Sequence, residues 1–244
     1  MAINNYLDNS EIAERIFLAN GQVINTSFNH KFGAVPAMSQ NQTGTVWDVN
    51  DTLYPWSAFD TAGVLTIPAV NASDNGYTVT VQGLDNNYNP ISEDFIISSG
   101  GTVTGTKTFK RVYRAFMSNG GSTNIGNINV QRGGTTVLRI TAGKGQTLMA
   151  IYTVPRGYNA FLTKGVMTCQ ANADATGDMF VRYFGQSTFR VGHSFEVSGN
   201  GGAYQYEFTI PLKIPEKTDI DIRAKVRSNN ARISAAFDMI LVKK

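Results

Sequence analysis

The chain has 244 residues, 42% hydrophobic and 16% charged, with a formal net charge of +3. That is apolar material enough for one large β domain or two of ordinary size, and it excludes wholesale disorder. The charge is too mild for the basic stripe of a nucleic-acid groove, and two histidines and one cysteine leave little for a metal or nucleophile site.

Residues 1–30 differ in pattern from the rest of the chain and are expected to form an N-terminal arm. Asp8-Asn9-Ser10-Glu11 is a helix start, with Glu11 three places after Asp8. Ile12, Ile16 and Phe17 then share a face until Asn20-Gly21 ends the turn. Over residues 22–32 the chain becomes extended, with Val23, Ile24, Phe28 and Phe32 separated by small and polar residues. So short a helix is marginal alone. The apolar series Ile12, Ile16, Phe17, Val23, Ile24 and Phe28 is therefore expected to pack on another protein chain as an assembly contact. Burying each such side chain is worth on the order of 1.5–3 kcal/mol. Three or four offset the ordering of the few residues that carry them, at about 1–2 kcal/mol of backbone entropy each. Met1 to Leu18 holds Asp8, Glu11 and Glu14 and no apolar core, so no signal peptide is expected. No stretch approaches 18 apolar residues, so no membrane insertion is expected either. Folding in a cytoplasm is the consequence, and the sequons at Asn25, Asn41, Asn50 and Asn71 then carry no weight.

Residues 31–120 are expected to form an immunoglobulin-like β-sandwich. Tyr77, Val79 and Val81 alternate with Thr78, Thr80 and Gln82, the pattern of a half-buried strand. The cluster Asp85-Asn86-Asn87-Tyr88-Asn89-Pro90 is a turn, since Asn and Asp tolerate left-handed geometry and Pro fixes φ. In the run 106–117, Phe109, Val112, Tyr113 and Phe116 are interleaved with Lys110, Arg111 and Arg114. The alternation slips midway, which predicts a bulge or a strand buried on both faces. Short strands with Gly turns give the sandwich reading.

Asn119-Gly120-Gly121-Ser122 marks the expected boundary. Beyond it, residues 121–244 hold eight or nine strand-like runs and no long helical period, the count of a jelly roll. The predicted fold is thus all-β: an arm, an immunoglobulin-like sandwich, and a jelly-roll-like sandwich.

No catalytic set converges, and no cofactor or metal is expected. Ala142-Gly143-Lys144-Gly145-Gln146 fails as a phosphate loop, because Leu138 and Gly145 stand where Gly and Ser or Thr are needed. His30 and His193 have no third ligand in view. Cys169, in the strand-like Val166-Met167-Thr168-Cys169, is read as a buried inert thiol. Asp219 and Asp221, two apart on a strand, share a sheet face that Glu207 could join, and without a nucleophile or metal they are read as polar alternation with Ile220 and Ile222. The aromatics Trp47, Tyr54, Trp56, Tyr204 and Tyr206 are candidates for surface binding of sugars or proteins, with burial as the first reading for both tryptophans.

Several stretches carry a family resemblance. They are Val81-Gln82-Gly83-Leu84-Asp85-Asn86-Asn87-Tyr88-Asn89, Arg111-Val112-Tyr113-Arg114-Ala115-Phe116, Ile151-Tyr152-Thr153-Val154-Pro155-Arg156-Gly157-Tyr158 and Ile214-Pro215-Glu216-Lys217-Thr218-Asp219-Ile220. With His30-Lys31-Phe32-Gly33 and Phe237-Asp238-Met239-Ile240-Leu241-Val242 they resemble a family of virion structural proteins of tailed bacteriophages. Those phages infect marine and freshwater bacteria, cyanobacteria included. The resemblance covers most of the chain after residue 28. It implies a non-enzymatic particle component, assembled in the host cytoplasm beside other virion proteins, and it transfers no binding residues. A capsid-attached decoration or knob-like protein, a homo-oligomer held by its N-terminal region, is the leading expectation. A neck or tail ring component and a host-glycan or receptor-binding module are the alternatives.

Overall fold

The structure is a computed structural model and describes residues 16–120, 123–170, 172–198, 202–227 and 230–244. The chain runs through β1 (Thr26–Met38) and β2 (Thr43–Thr45), then builds a separate block. That block holds β3 (Thr66–Ile67), β4 (Thr78–Leu84), β5 (Pro90–Ile96), β6 (Val103–Thr104), β7 (Arg111–Asn119), β8 (Ile128–Arg132) and β9 (Thr135–Ile140). It returns through β10 (Ile151–Thr153), β11 (Tyr158–Cys169), β12 (Ala175–Arg182), β13 (Arg190–Val197), β14 (Ala203–Ile214), β15 (Asp219–Val226) and β16 (Ala231–Lys243). All pairings between these strands are antiparallel.

Two sheets form the larger sandwich, β1-β16-β11-β14 and β10-β15-β12-β13, with β2 continuing the line of β10 along β15. Counted in chain order without β2, the sheets run first-eighth-third-sixth and second-seventh-fourth-fifth. That is the strand order of an eight-stranded jelly roll. Alternation builds it: Ala231, Ile233, Ala235, Phe237, Met239 and Leu241 of β16 all face one core, shared with Ile220 and Ile222 of β15.

The smaller sandwich is inserted between the first and second strands of that jelly roll. Its sheets are β6-β3-β8-β9 and β5-β4-β7, seven strands divided four and three as in an immunoglobulin-type domain. The strands therefore do not divide at residue 120. β8 pairs with β3 on one side and β9 on the other, and Ile128, Val130, Leu138 and Ile140 lie in the inserted unit's core. The neck of the insertion is a pair of antiparallel crossings: Trp47 bridges Met149, and Ala150 donates its N–H to Val46 O at 2.9 Å.

The arm divides too. Residues 16–19 are helical and end in the expected turn, where Gly21 takes φ 68°. The Gln22 N–H reaches Phe17 O and the Gly21 N–H reaches Leu18 O, a Schellman cap. From Thr26, however, the arm is already an edge strand of the jelly roll: Thr26 pairs with Val242, Phe28 with Ile240 and His30 with Asp238. The expectation that the arm avoids its own domains fails for residues 26–30. Their extended alternation is what lets them extend the sheet.

Candidate functional site: the junction of the two sandwiches

β15 presents two faces. Ile220 and Ile222 point into the jelly-roll core, so Asp219 and Asp221 point outward, where the inserted unit covers them. Both carboxylates are buried there. Asp219 Oδ1 accepts from Arg111 Nε at 2.8 Å and from Thr153 Oγ1 at 2.7 Å. Its Oδ2 accepts from Arg111 Nη2 at 3.0 Å and from Arg182 Nε and Nη2 at 3.0 and 2.7 Å. Asp221 accepts from Thr45 Oγ1 at 2.8 Å, Trp56 Nε1 at 3.0 Å and Arg223 Nε at 2.9 Å. Arg111 and Trp56 belong to the insertion and the two aspartates to the jelly roll, so this network ties one unit to the other. Buried charges persist when paired and fully hydrogen-bonded. Glu207 does not join them. It sits on β14 in the opposite sheet and pairs with Lys164 at 3.3 Å.

Trp47, Tyr54 and Trp56 are 2%, 3% and 7% exposed, so the surface-binding role considered for them is overturned. They form an edge-to-face chain, Trp47–Tyr54 at 5.2 Å and Tyr54–Trp56 at 4.8 Å, that fills the insertion's core beside the neck. Burial pushes the Tyr54 phenol well above its ordinary pKa. Tyr204 and Tyr206 lie on β14 with Phe195, Phe208 and His193 around them, and Tyr204 OH lies 3.2 Å from His193 Nε2. Of the pair, Tyr206 is the one left exposed.

Among the described arm residues, Ile16, Phe17, Val23, Ile24 and Phe28 are all exposed, Ile24 by 85%. Ile12 lies outside the described residues. Leu18 and Ala19 face Phe28, Phe208 and Ile240 across a groove of about 440 Å³ on the outer face of the jelly roll. Cys169 is buried, its thiol pushed up by burial and donating to Ala173 O at 3.3 Å. His30 pairs through Nδ1 with Asp238. No three His, Cys, Asp or Glu among the described residues are placed to hold a metal ion.

Above the Arg111–Asp219–Arg182 network the junction opens into a cleft of about 460 Å³, walled by both units. Phe59 and Tyr88 form its floor, and Lys110, Lys217 and Phe184 line it. Composition gave no cue to this site: Tyr88 and Lys110 are local to the insertion, while Phe184 and Lys217 arrive from two separate jelly-roll turns. The one local signal was the charge-interleaved run 106–117, which sets Lys110 directly before Arg111, the first residue of β7.

No protein-family model matches the sequence, and no curated protein matches it. Among solved structures it is similar to that of infectious bursal disease virus, Gx strain, at 8% identity and a TM-score of 0.26, over 89% of this chain and 72% of that one. It is similar also to the VP2 subviral particle of infectious bursal disease virus, at 9% identity and a TM-score of 0.23, over 94% and 77% of the respective chains. The jelly-roll architecture rests on strand order and not on these superpositions.

Proposed function

We propose that the chain is a non-enzymatic structural component of a tailed-phage virion, attached to the capsid as a decoration or knob-like protein through its N-terminal region. The observation that carries this reading is the uncovered apolar series at residues 16–28, which leads into an edge strand of a jelly roll. Contiguous apolar residues that the chain itself leaves uncovered mark an interaction surface, and jelly rolls recur in viral capsids. The carboxylates with the geometry closest to a catalytic pair, Asp219 and Asp221, are spent on arginines and on a tryptophan. Symmetric copies on a particle would cover the arm and stabilise the fold, because whatever binds only the folded state stabilises it. Imaging of intact particles tests the reading: density for the chain in many tens of copies on the capsid is expected. A count of about six or twelve, the order of a closed ring, would replace it with the neck or tail component.

A second reading, a module that binds host glycan, is favoured by the junction cleft. Its residues are not those marked by aromatic content in the sequence.

A further inference from the structure

The junction cleft has three properties that do not arise from holding the two units together. First, its charge is not cancelled. Asp219 is taken by Arg111 and Arg182, and Asp60 sits exposed at the rim. That leaves Lys110, which spends one N–H on Asp60 O at 2.7 Å, and Lys217, whose ammonium has no hydrogen-bond acceptor among the described residues. A cleft with an excess of one sign focuses its field on an incoming ion. Second, Phe184 is 60% exposed beside that charge. Its ring stands edge-to-face on Tyr88 at 5.7 Å, with Lys217 Nζ 4.4 Å from its centroid. An exposed ring held by a second ring is a platform for an apolar sugar face. Third, Tyr88 and Lys217 hold φ of 65° and 60°, a region that bulky side chains rarely adopt. Backbone of this kind persists where its surroundings fix it, and it gathers at ligand sites. Here it is fixed from both units. The Asp85 carboxylate caps Asn87 and Asn89 around Tyr88, and the Lys217 N–H reaches Val154 O at 2.7 Å.

We propose that this cleft binds an acidic saccharide, a sugar carrying a carboxylate, with the Phe184 ring as stacking platform and the Lys110 and Lys217 ammonium groups as the anion contacts. The volume fits a small ligand. The Asp60 carboxylate and the Gln186 side chain at the cleft add an acceptor and an amide for sugar hydroxyls, which a bare inorganic anion would not use. The inference deepens the glycan-binding reading and is independent of where the protein sits on a particle.

Calorimetric titration of the full chain at low ionic strength tests it, with trigalacturonate, a neutral galactose trisaccharide and inorganic phosphate as probes. Saturable binding of trigalacturonate is expected, weakened about tenfold or more in Phe184→Ala and in Lys217→Asn, and weaker by a similar factor for the neutral sugar. Asn accepts the positive φ at residue 217, so that variant removes charge without straining the turn. Unchanged thermal unfolding certifies each variant, and Lys110→Gln stands in for either that fails to fold. No saturable binding of trigalacturonate overturns the proposal, as do equal affinities in the variants or for the neutral sugar. Phosphate bound as tightly and indifferent to Phe184→Ala overturns it too, leaving an inorganic anion site. A protein that joins particles and binds no acidic sugar sinks this inference and leaves the virion reading standing.

Discussion

Arg111 carries the tie between the two units, and its cost is the burial of a guanidinium against Asp219. Removing one partner of a buried pair strands the other charge, which is far more expensive than never having built the pair. Asp219 keeps Arg182 and Thr153 when Arg111 goes, so Arg111→Met is expected to lose less than the full cost of a stranded charge, about 1.5–3 kcal/mol of unfolding free energy in denaturant titration. Arg182→Met, which leaves the bidentate Arg111 contact in place, loses less. Equal losses would mean that Asp219 is not held chiefly from the insertion. Two other buried groups set the pH response. Burial raises the Asp48 carboxyl to about 6, with the 2.8 Å bond from Thr141 Oγ1 and the charge of Arg139 opposing it only in part. The folded state therefore holds a proton that the unfolded chain, titrating near 4, has released. Stability falls as pH rises from about 4 to about 6. Asp48→Asn removes that fall, and at pH 7 it is expected to be more stable than the parent by on the order of 2–3 kcal/mol, with no advantage near pH 4. Lys31 has the opposite sign. Burial, with Arg114 nearby, lowers its ammonium to about 7, although its Nζ donates to Tyr113 O. Between about 7 and 10 the unfolded chain binds the extra proton, so stability rises through that window. Melting curves of Lys31→Met should show a gain at pH 6 that is gone by pH 10.

At the scale of elements, the neck of the insertion depends on how closely β1 approaches it. A Cβ on Gly33 would stand 2.3 Å from Val46 O and 2.4 Å from Ala150 N, both backbone atoms of the two crossings, whereas one on Gly165 of β11 would meet open space. Gly33→Ala is expected to cost about 1–3 kcal/mol or more through forced backbone shifts, and Gly165→Ala close to nothing, as read by chemical denaturation of both variants. Elements whose signal is local were legible in the sequence. The alternation at 77–82 became β4 with Val79 and Val81 buried, and the slip in 106–117 became the register shifts where β7 meets β4. Gly21 ended the helix as its neighbours required. Partnership was not legible. Val130 and Leu138 alternate in the same way whichever sandwich they serve, so the glycines at 120–121 passed for a domain boundary. Arg111 and Asp219 are 108 residues apart, with nothing in either stretch naming the other. The aromatic cluster at 47–56 shows the same gap: a loop-rich stretch gives the rings, and only the closed neck decides that they face inward.

For the whole molecule, the proposed attachment and the stability of the fold separate at a definable residue, Thr26. β1 is the first strand of the jelly roll and pairs with β16 from Thr26 to Met38, so the fold needs that strand whatever the arm does. The exposed Ile16, Phe17, Val23 and Ile24 precede it and add no buried surface to either core. A chain lacking residues 1–25 is therefore expected to fold with a melting temperature near that of the full chain, and yet fail to join particles in an assembly or phage-complementation assay. A chain lacking residues 1–38 opens one edge of the jelly roll and uncovers β16, including Phe237, Met239 and Leu241 of its core face. It should be recovered as aggregate, since an unpaired apolar edge is a template for association. Normal assembly of the shorter truncation would move the attachment to the inserted sandwich. Unfolding of that same truncation would place the arm's apolar residues in the stability of the domain itself and remove the division on which the virion reading is built.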